Sequence, residues 1–491
     1  MAIIIPANTL AAVGYSIDNS CRFNRADSAK FERVIDADGS LTTWTFNVWL
    51  KRGTITPSNH YSLLWNRDSS GTAAITSCEF YGAGAGLQTI YFYNYDNPGD
   101  GEKRLQTTAR YRDSSAWYNL HLMWDSSNGT AGNRMRIFMN GVEETDFILD
   151  QNPGSSAEGG LLRGSVATKL SIGFHPYNNS NYYDGYMANA IICDGQAYLP
   201  TKFGEFNEDS PTIWQPIDPA EQSLSFGTHG VWLDFADSSA LGNDVSGENN
   251  DFTPANFAAV DQSTDTPTNN FATFNPLNVP TSATPTFSQG NCVTVSQVGA
   301  GLNFGGTSTL GMTAGKWYWE CSPTSVSNGS IIGVTGRPSE DARLNDLPGH
   351  DSDSYGYVHN GNKITGNSES SFDNTYTDGD IISVALDITN LKIYFAKNGT
   401  WQNSGDPTSG ATGTGAAFTI TATASTLEGV YAFGAGDYGN GGTTFQANFG
   451  GCPAFTVSSA VADGNGYGAF EYAPPSGYLA LCTKNLGSDG G

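Results

Sequence analysis

The residues of this chain best placed to do covalent chemistry are its carboxylates, and the chemistry in question is glycosidic-bond cleavage. Retaining hydrolysis needs two carboxyl groups about 5–5.5 Å apart across the bond, which a strand can deliver through the spacing Glu-x-Asp-x-x-Glu. The nearest approach is Glu144-Thr145-Asp146, where the third position is Leu149. Glu205-Phe206-Asn207-Glu208 has the wrong spacing and lies in a Gly/Pro-flanked turn. The six histidines, His60, His121, His175, His229, His350 and His359, include no His-Glu-x-x-His pair. No Gly-x-Ser-x-Gly surrounds a serine, and no glycine-rich loop ends in Lys-Ser/Thr. With these constellations missing, the residues predict a protein that is not an enzyme.

Binding chemistry has better material. The run from Phe174 to Asp184 is a polar loop carrying His175, Tyr177, Asn179, Tyr182 and Tyr183. Tyrosine rings offer a CH–π surface to a sugar, and Asn and Asp side chains bond its hydroxyls, so this loop is a candidate ligand site. The competing reading tucks the rings back onto the body of the domain. A second stretch, Asp346 to Asn360, holds Tyr355, Tyr357 and His359, with Trp401 and Tyr438 as further candidates. Tyr355 and Tyr357 alternate, however, and alternation also lines a core face. Tyr91, Tyr93 and Tyr95 make a one-sided stripe, read either as packing on a half-buried strand or as a ligand platform.

Two acidic loops are candidates for Ca²⁺, which favours oxygen ligands in flexible turns. One holds Asp96, Asp100 and Glu102; the other holds Asp346, Asp351 and Asp353. Neither has EF-hand spacing, and acidic loops are common in a chain with 48 Asp+Glu against 23 Lys+Arg, a formal charge of −25. The site expectation is therefore no required cofactor, with Ca²⁺ as the one metal the residues suggest. The same charge excludes nucleic-acid binding, because no window supplies the basic stripe a phosphate backbone requires. Docking to anionic membranes is excluded on the same ground, and no run approaches the ~20 apolar residues of a membrane span. Seven widely spaced cysteines, without any Cys-x-x-Cys, suit buried isolated thiols better than a disulfide frame or a zinc site. The first residues lack a basic n-region, so the chain is expected to be made and folded in cytoplasm.

The elements that must position these residues are strands. Short alternating runs separated by Gly, Asn, Asp, Ser and Pro recur throughout, and helical periodicity is nearly absent. Trp44 to Leu50 sets Trp44, Phe46, Val48 and Leu50 on one face. Asn140-Gly141 and Asn398-Gly399 each end a strand in a two-residue hairpin signal, and the runs leading into the two turns are ordered alike. The fold class predicted is all-β, with two antiparallel β-sandwich (jelly-roll) domains joined by a Pro/Thr/Asn-rich linker. The boundaries are an N-terminal extension over 1–20, a sandwich over 21–235, a linker over 236–289, a second sandwich over 290–450, and a C-terminal segment over 451–491 packed on the second sandwich. Ile3-Ile4-Ile5 is read either as a plain first strand or as one added to a neighbouring protein.

Gly315-Lys316-Trp317-Tyr318-Trp319-Glu320 resembles the opening strand of a SPRY domain. Ile331 to Val334, Asp353 to Tyr357, Gly379 to Val384 and Leu391 to Gly399 follow in that family's order. The first half resembles a laminin-G-like, concanavalin A-like jelly roll, through Trp44 to Trp49, Trp117 with Trp124-Asp125, Phe138 to Gly141, Ile172-Gly173, Asp184 to Ala188 and Phe203 to Glu205. The pairing, joined by Leu233 to Ser239 and closed by Pro474 to Tyr478, resembles structural proteins of tailed, marine-type bacteriophages. That resemblance implies a virion protein of fibre, tail or capsid surface, oligomeric within the particle. Its partners would be other virion proteins and a host-surface glycan or protein. SPRY domains recognise partners through loops at one end of the sandwich, which supports the Tyr355–His359 region. The alternatives are a purely architectural decoration protein and a divergent glycan-active enzyme.

Overall fold

The run Thr43–Arg52 forms the strand around which the first half of the chain is built. Trp44, Phe46, Val48 and Leu50 are fully buried in one core, and Thr45, Asn47, Trp49 and Lys51 are buried on the other face. The computed structural model describes residues 14–53, 55–56, 58–67, 75–82, 88–96, 101–164, 168–176, 178–279, 285–296, 303–338, 348–438 and 442–489. The expected docking strand Ile3-Ile4-Ile5 falls outside these residues.

The chain divides into two compact units. The first spans residues 12–112 and 116–268. One of its sheets runs, in spatial order, Val142–Glu143, Met135–Met139, Trp117–Asp125, Thr43–Arg52, Gly185–Asp194, Ser20–Phe23 and Gln262–Ser263, with Val231–Leu233 alongside Gly185–Asp194. The other runs Phe147–Gln151, Gly101–Thr107, Thr89–Asp96, Ile75–Tyr81, Tyr61–Arg67, Lys169–Ile172, Lys30–Val34 and Thr253–Ala255. Their inner faces share one hydrophobic core, in which Trp44 and Trp124 stack at 6.3 Å.

The second unit takes residues 269–491 together with 113–115. One sheet runs Thr286–Ser288, Val293–Val295, Thr444–Asn448, Lys316–Thr324, Ile382–Asp387, Lys392–Lys397 and Thr400–Trp401. The facing sheet runs Asn303–Thr307, Ala432–Asp437, Ser330–Thr335, Ser354–Val358, Asn362–Thr365 and Ser368–Ser371. In both units a tryptophan-bearing strand lies mid-sheet and the next two strands close on an Asn-Gly turn. Asn140 and Gly141 have φ of 49° and 75°, and Asn398 and Gly399 have 48° and 76°, the left-handed pair such turns demand.

The linker expected over 236–289 is a correction. Thr253–Ala255 and Gln262–Ser263 add strands to the two sheets of the first unit. Asp265 meets Lys51 Nζ at 2.6 Å with both side chains about 1% exposed, and it accepts from Trp117 Nε1 at 3.1 Å. Arg22 pairs with Asp261 at 3.1 Å. A run rich in Pro, Thr, Asn and Asp reads as linker by composition, yet here its polar side chains neutralise cations on the outer face of a sheet. In the C-terminal segment, the buried Glu320 carboxylate accepts from the backbone of Glu471 (2.9 Å) and Tyr472 (2.8 Å), and Leu479–Ala480 pairs in parallel with Trp317–Tyr318. All seven cysteines are buried and free of disulfides.

Candidate functional site

Along Thr89–Asp96 the pleat sends Ile90, Phe92 and Asn94 inward and leaves Tyr91, Tyr93 and Tyr95 half-buried on the outward face. Register then decides their neighbours. Glu79 lies opposite Tyr91 and Ser77 opposite Tyr93; on the next strand Ser62 lies opposite Glu79 and Trp65 opposite Ser77. Ser171 flanks Trp65, and on the far side Arg104 and Gln106 flank Tyr93 and Tyr91. The outward face therefore carries two adjacent rows, Ser171-Trp65-Ser77-Tyr93-Arg104 and Ser62-Glu79-Tyr91-Gln106. Trp65 and Tyr93 stand two strand spacings apart, about 10 Å, with the short Ser77 between them.

The rings form a ladder. Tyr81 stacks on Tyr91 at 4.8 Å and Tyr91 on Tyr93 at 6.0 Å; His60 meets Tyr81 edge-on at 4.5 Å, and His175 lies over Trp65 at 3.9 Å. His60 Nδ1 is 3.2 Å from Glu79 Oε1, and Tyr93 donates to Glu102 Oε1 at 3.3 Å. Burial raises the phenol pKa of Tyr91 and Tyr93, with Glu102 adding to the rise at Tyr93, so both remain neutral donors. Four buried polar atoms on this one face, Ser62 Oγ, Trp65 Nε1, Glu79 Oε2 and Ser171 Oγ, find no hydrogen-bond partner among the described residues. Each such atom costs about 1–3 kcal/mol, and folded proteins keep few of them. Their gathering beside the tyrosine ladder marks this face as the candidate site.

The loop singled out in the sequence joins this face through His175. Of its other candidates, Asn179 is exposed and accepts from Lys30 Nζ (3.2 Å) and Tyr182 OH (2.8 Å). Tyr182 stacks on Phe174 at 5.8 Å, and Tyr183 is fully buried with its hydroxyl on the Lys51 carbonyl at 2.8 Å. Tyr182 and Tyr183 are thus corrections: their rings anchor the loop to the body of the unit, where a large aromatic surface gains more from burial than from display. Tyr177 lies outside the described residues.

In the second unit Tyr355 and Tyr357 are also corrections. Both point into the core; Tyr355 bonds Thr421 Oγ1 at 3.1 Å, and Tyr357 donates to the Asn374 carbonyl. Ser354, Gly356 and Val358 take the other face, which is itself buried. Trp401 is half-buried, edge-on to Tyr394 at 6.5 Å. His359 and Tyr438 do come together. His359 Nδ1 accepts from Gly329 N at 3.3 Å, and Tyr438 N donates to the Gly329 carbonyl at 3.2 Å. Burial holds the His359 pKa below its ordinary value. Tyr438, 38% exposed, donates to Glu369, as do Asn360 Nδ2 (3.0 Å) and Asn362 Nδ2 (2.7 Å). Burial raises the Glu369 pKa, but these bonds outweigh it and hold the carboxyl below its usual range. Glu369 and Asn362 escaped the sequence reading because they sit on short polar strands with no aromatic neighbour in sequence.

The acidic loops do not assemble a metal site among the described residues. Arg337 occupies the charge of the second cluster, 3.5 Å from Asp351 and 2.7 Å from Asp353, and Asp353 Oδ2 also accepts from Leu427 N at 3.1 Å. Glu102 is shared by Arg104 (3.7 Å) and Tyr93. At Asp351, Asp353 and Glu102, the carboxylate oxygens that would face a Ca²⁺ ion are engaged in this structure by guanidinium groups and hydrogen bonds. The side chain of Asp96, and the residues Asp100 and Asp346, lie outside what the structure describes.

Comparison with known proteins finds a SPRY domain model matching residues 316–435. No curated protein matches the chain. Among solved structures, the native heptameric SAP-like pentraxin from Limulus polyphemus is 15% identical, with a TM-score of 0.27 over 38% of this chain and 80% of its own. The SPRY domain of human HERC1 is 22% identical, with a TM-score of 0.24 over 33% and 87%. A candidate carbohydrate binding protein from Bacteroides ovatus is 15% identical, with a TM-score of 0.30 over 49% and 58%. At such scores these three carry nothing about ligand or assembly. The second unit thus matches the SPRY domain over residues 316–435, within a chain whose regular structure, among the described residues, is mostly antiparallel sheet.

Proposed function

We propose that this chain is a non-catalytic virion protein, displayed on the fibre, tail or capsid surface of a bacteriophage, that recognises a host-surface glycan through the outward tyrosine face of its first unit. The observation that carries the binding half is the coincidence, on one sheet face, of a stacked tyrosine row with Trp65, Glu79, Ser62 and Ser171, whose buried polar atoms have no partner among the described residues. Aromatic rings with interleaved hydrogen-bonding groups are what an amphipathic sugar ring needs. The particle half rests on the sequence resemblance, carried by Leu233 to Ser239 and Pro474 to Tyr478. In this reading the chain acts as an oligomer beside other virion proteins.

The test is binding of the purified chain to a glycan array and to intact bacterial cells. Saturable binding is expected, and Tyr93→Ala should weaken it about tenfold or more, with a thermal melt still above the assay temperature showing that the variant is folded. A folded protein that leaves both array and cells blank would sink the glycan reading and favour an architectural role.

A further inference from the structure

We propose that the outward tyrosine face takes a linear glycan along its length, as an internal run of several linked sugars beside the strand Thr89–Asp96, and not a single terminal sugar. The inference rests on the glycan reading above and deepens it. The rings form a row. Tyr91, Tyr93 and Tyr95 leave their strand at every second position, and all three are half-buried. Tyr81 is paired with Thr89, the next position of the same parity, so its half-buried ring continues the row past Tyr91 from the neighbouring strand. Ring centres lie 4.8 Å apart from Tyr81 to Tyr91 and 6.0 Å apart from Tyr91 to Tyr93, with planes inclined by 27° and 15°. Tyr95 follows one strand repeat of about 6.6 Å further on. A pyranose ring is close to a phenol ring in size, so four rings in line outreach any one sugar.

The polar flank runs with the row. On the next strand Gln106, Arg104 and Glu102 stand opposite Tyr91, Tyr93 and Tyr95 in turn. The side chains of Arg104 and Glu102 are 32% and 52% exposed, so both are within reach of a chain lying on the rings. Arg104 supplies donors and Glu102 acceptors, and such a flank bonds hydroxyls or substituents of either sign without setting a charge class. What the row selects is extent. Each further sugar covers a further ring until the row is filled, and each ring covered adds its own stacking contact.

The experiment uses the full chain and calorimetry with linear oligosaccharides of one, two, four and six sugars from the cello-, manno- and galacto- series, together with bacterial capsular polysaccharide fragments sorted by length. Affinity is expected to rise about tenfold or more from two sugars to six. Methyl capping of both ends of the six-sugar probe should change its affinity by less than about twofold. Tyr81→Ala and Tyr95→Ala, at the two ends of the row, should each weaken the six-sugar probe several-fold and leave the disaccharide within about twofold, with each variant's thermal melt above the assay temperature. A mono- or disaccharide that binds as tightly as six sugars, or binding abolished by capping, overturns the internal mode while leaving the glycan reading intact. Six-sugar binding that is indifferent to both end variants overturns the row as its track. If no probe of any length binds, the glycan reading itself falls.

Discussion

His121 illustrates what burial does to a single side chain in this protein. It is fully buried between Phe138 (5.4 Å) and Phe203 (5.5 Å), and its Nε2 hydrogen-bonds the Tyr198 carbonyl at 2.9 Å. That bond requires the N–H tautomer, and desolvation pushes the pKa from 6.5 down to about 3. Between those values the unfolded chain takes up a proton that the folded chain refuses, so stability is complete above pH 6.5 and is lost as pH falls towards 3. His121→Gln keeps a donor for Tyr198 and cannot titrate. Urea unfolding of the two proteins at pH 7 and pH 4 should show the wild type losing on the order of 1–4 kcal/mol more on acidification. The same scale explains the tyrosines. Tyr93 and Tyr357 are one residue type in similar alternating runs, yet one is half-exposed and the other fully buried with its hydroxyl on Asn374.

At the scale of elements the two units share an order. Strands Val142–Glu143, Met135–Met139, Trp117–Asp125, Thr43–Arg52 and Gly185–Asp194 follow one another as do Thr400–Trp401, Lys392–Lys397, Ile382–Asp387, Lys316–Thr324 and Thr444–Asn448. The Asn-Gly turns and the alternation of Trp44, Phe46, Val48 and Leu50 made these strands legible in the sequence. Which side of a sheet receives the tyrosines was not legible, because a period of two is the same pattern read from either face. In the first unit the parity turns Tyr91 and Tyr93 outward; in the second it turns Tyr355 and Tyr357 into the core and puts Gly356 on the opposite face, which is also buried. The segment 236–268 was misread for a related reason: its acidic residues look solvated until Lys51 and Arg22 are placed beneath them. Asp265→Ala would deprive the buried Lys51 ammonium of its carboxylate, an expected loss of about 3–5 kcal/mol in denaturant titrations of the chain. Replacing both partners, Lys51→Met with Asp265→Leu, should recover most of it, because the cost lies in the stranded charge.

Across the whole molecule, charge sets the terms of association. With 14% charged residues and a net charge of −25, the protein repels polyanions at long range. That repulsion is screened as the Debye length shortens from about 10 Å at 0.1 M salt to about 3 Å at 1 M. Contacts with a neutral sugar involve no net charge pairing and should not follow the screening. Affinity for neutral oligosaccharides is therefore expected to change less than about twofold between 0.1 and 1 M salt, measured by calorimetry. A steep salt dependence would point to an ionic contact, for which Glu79 and Arg104 stand beside Tyr91 and Tyr93.

The sequence by itself determined the all-β class, the hairpins at Asn140-Gly141 and Asn398-Gly399, the paired sandwiches and the SPRY resemblance of the second. These rest on local signals: pleat period, turn residues and the order of short motifs along the chain. Tertiary contacts were needed to show which aromatics face outward, that Arg337 meets Asp351 and Asp353, and that Ser62, Trp65, Glu79 and Ser171 share one face. Those four residues come from three strands spread over more than a hundred positions. No local pattern could announce them, because register between strands, not spacing along one, brings them together.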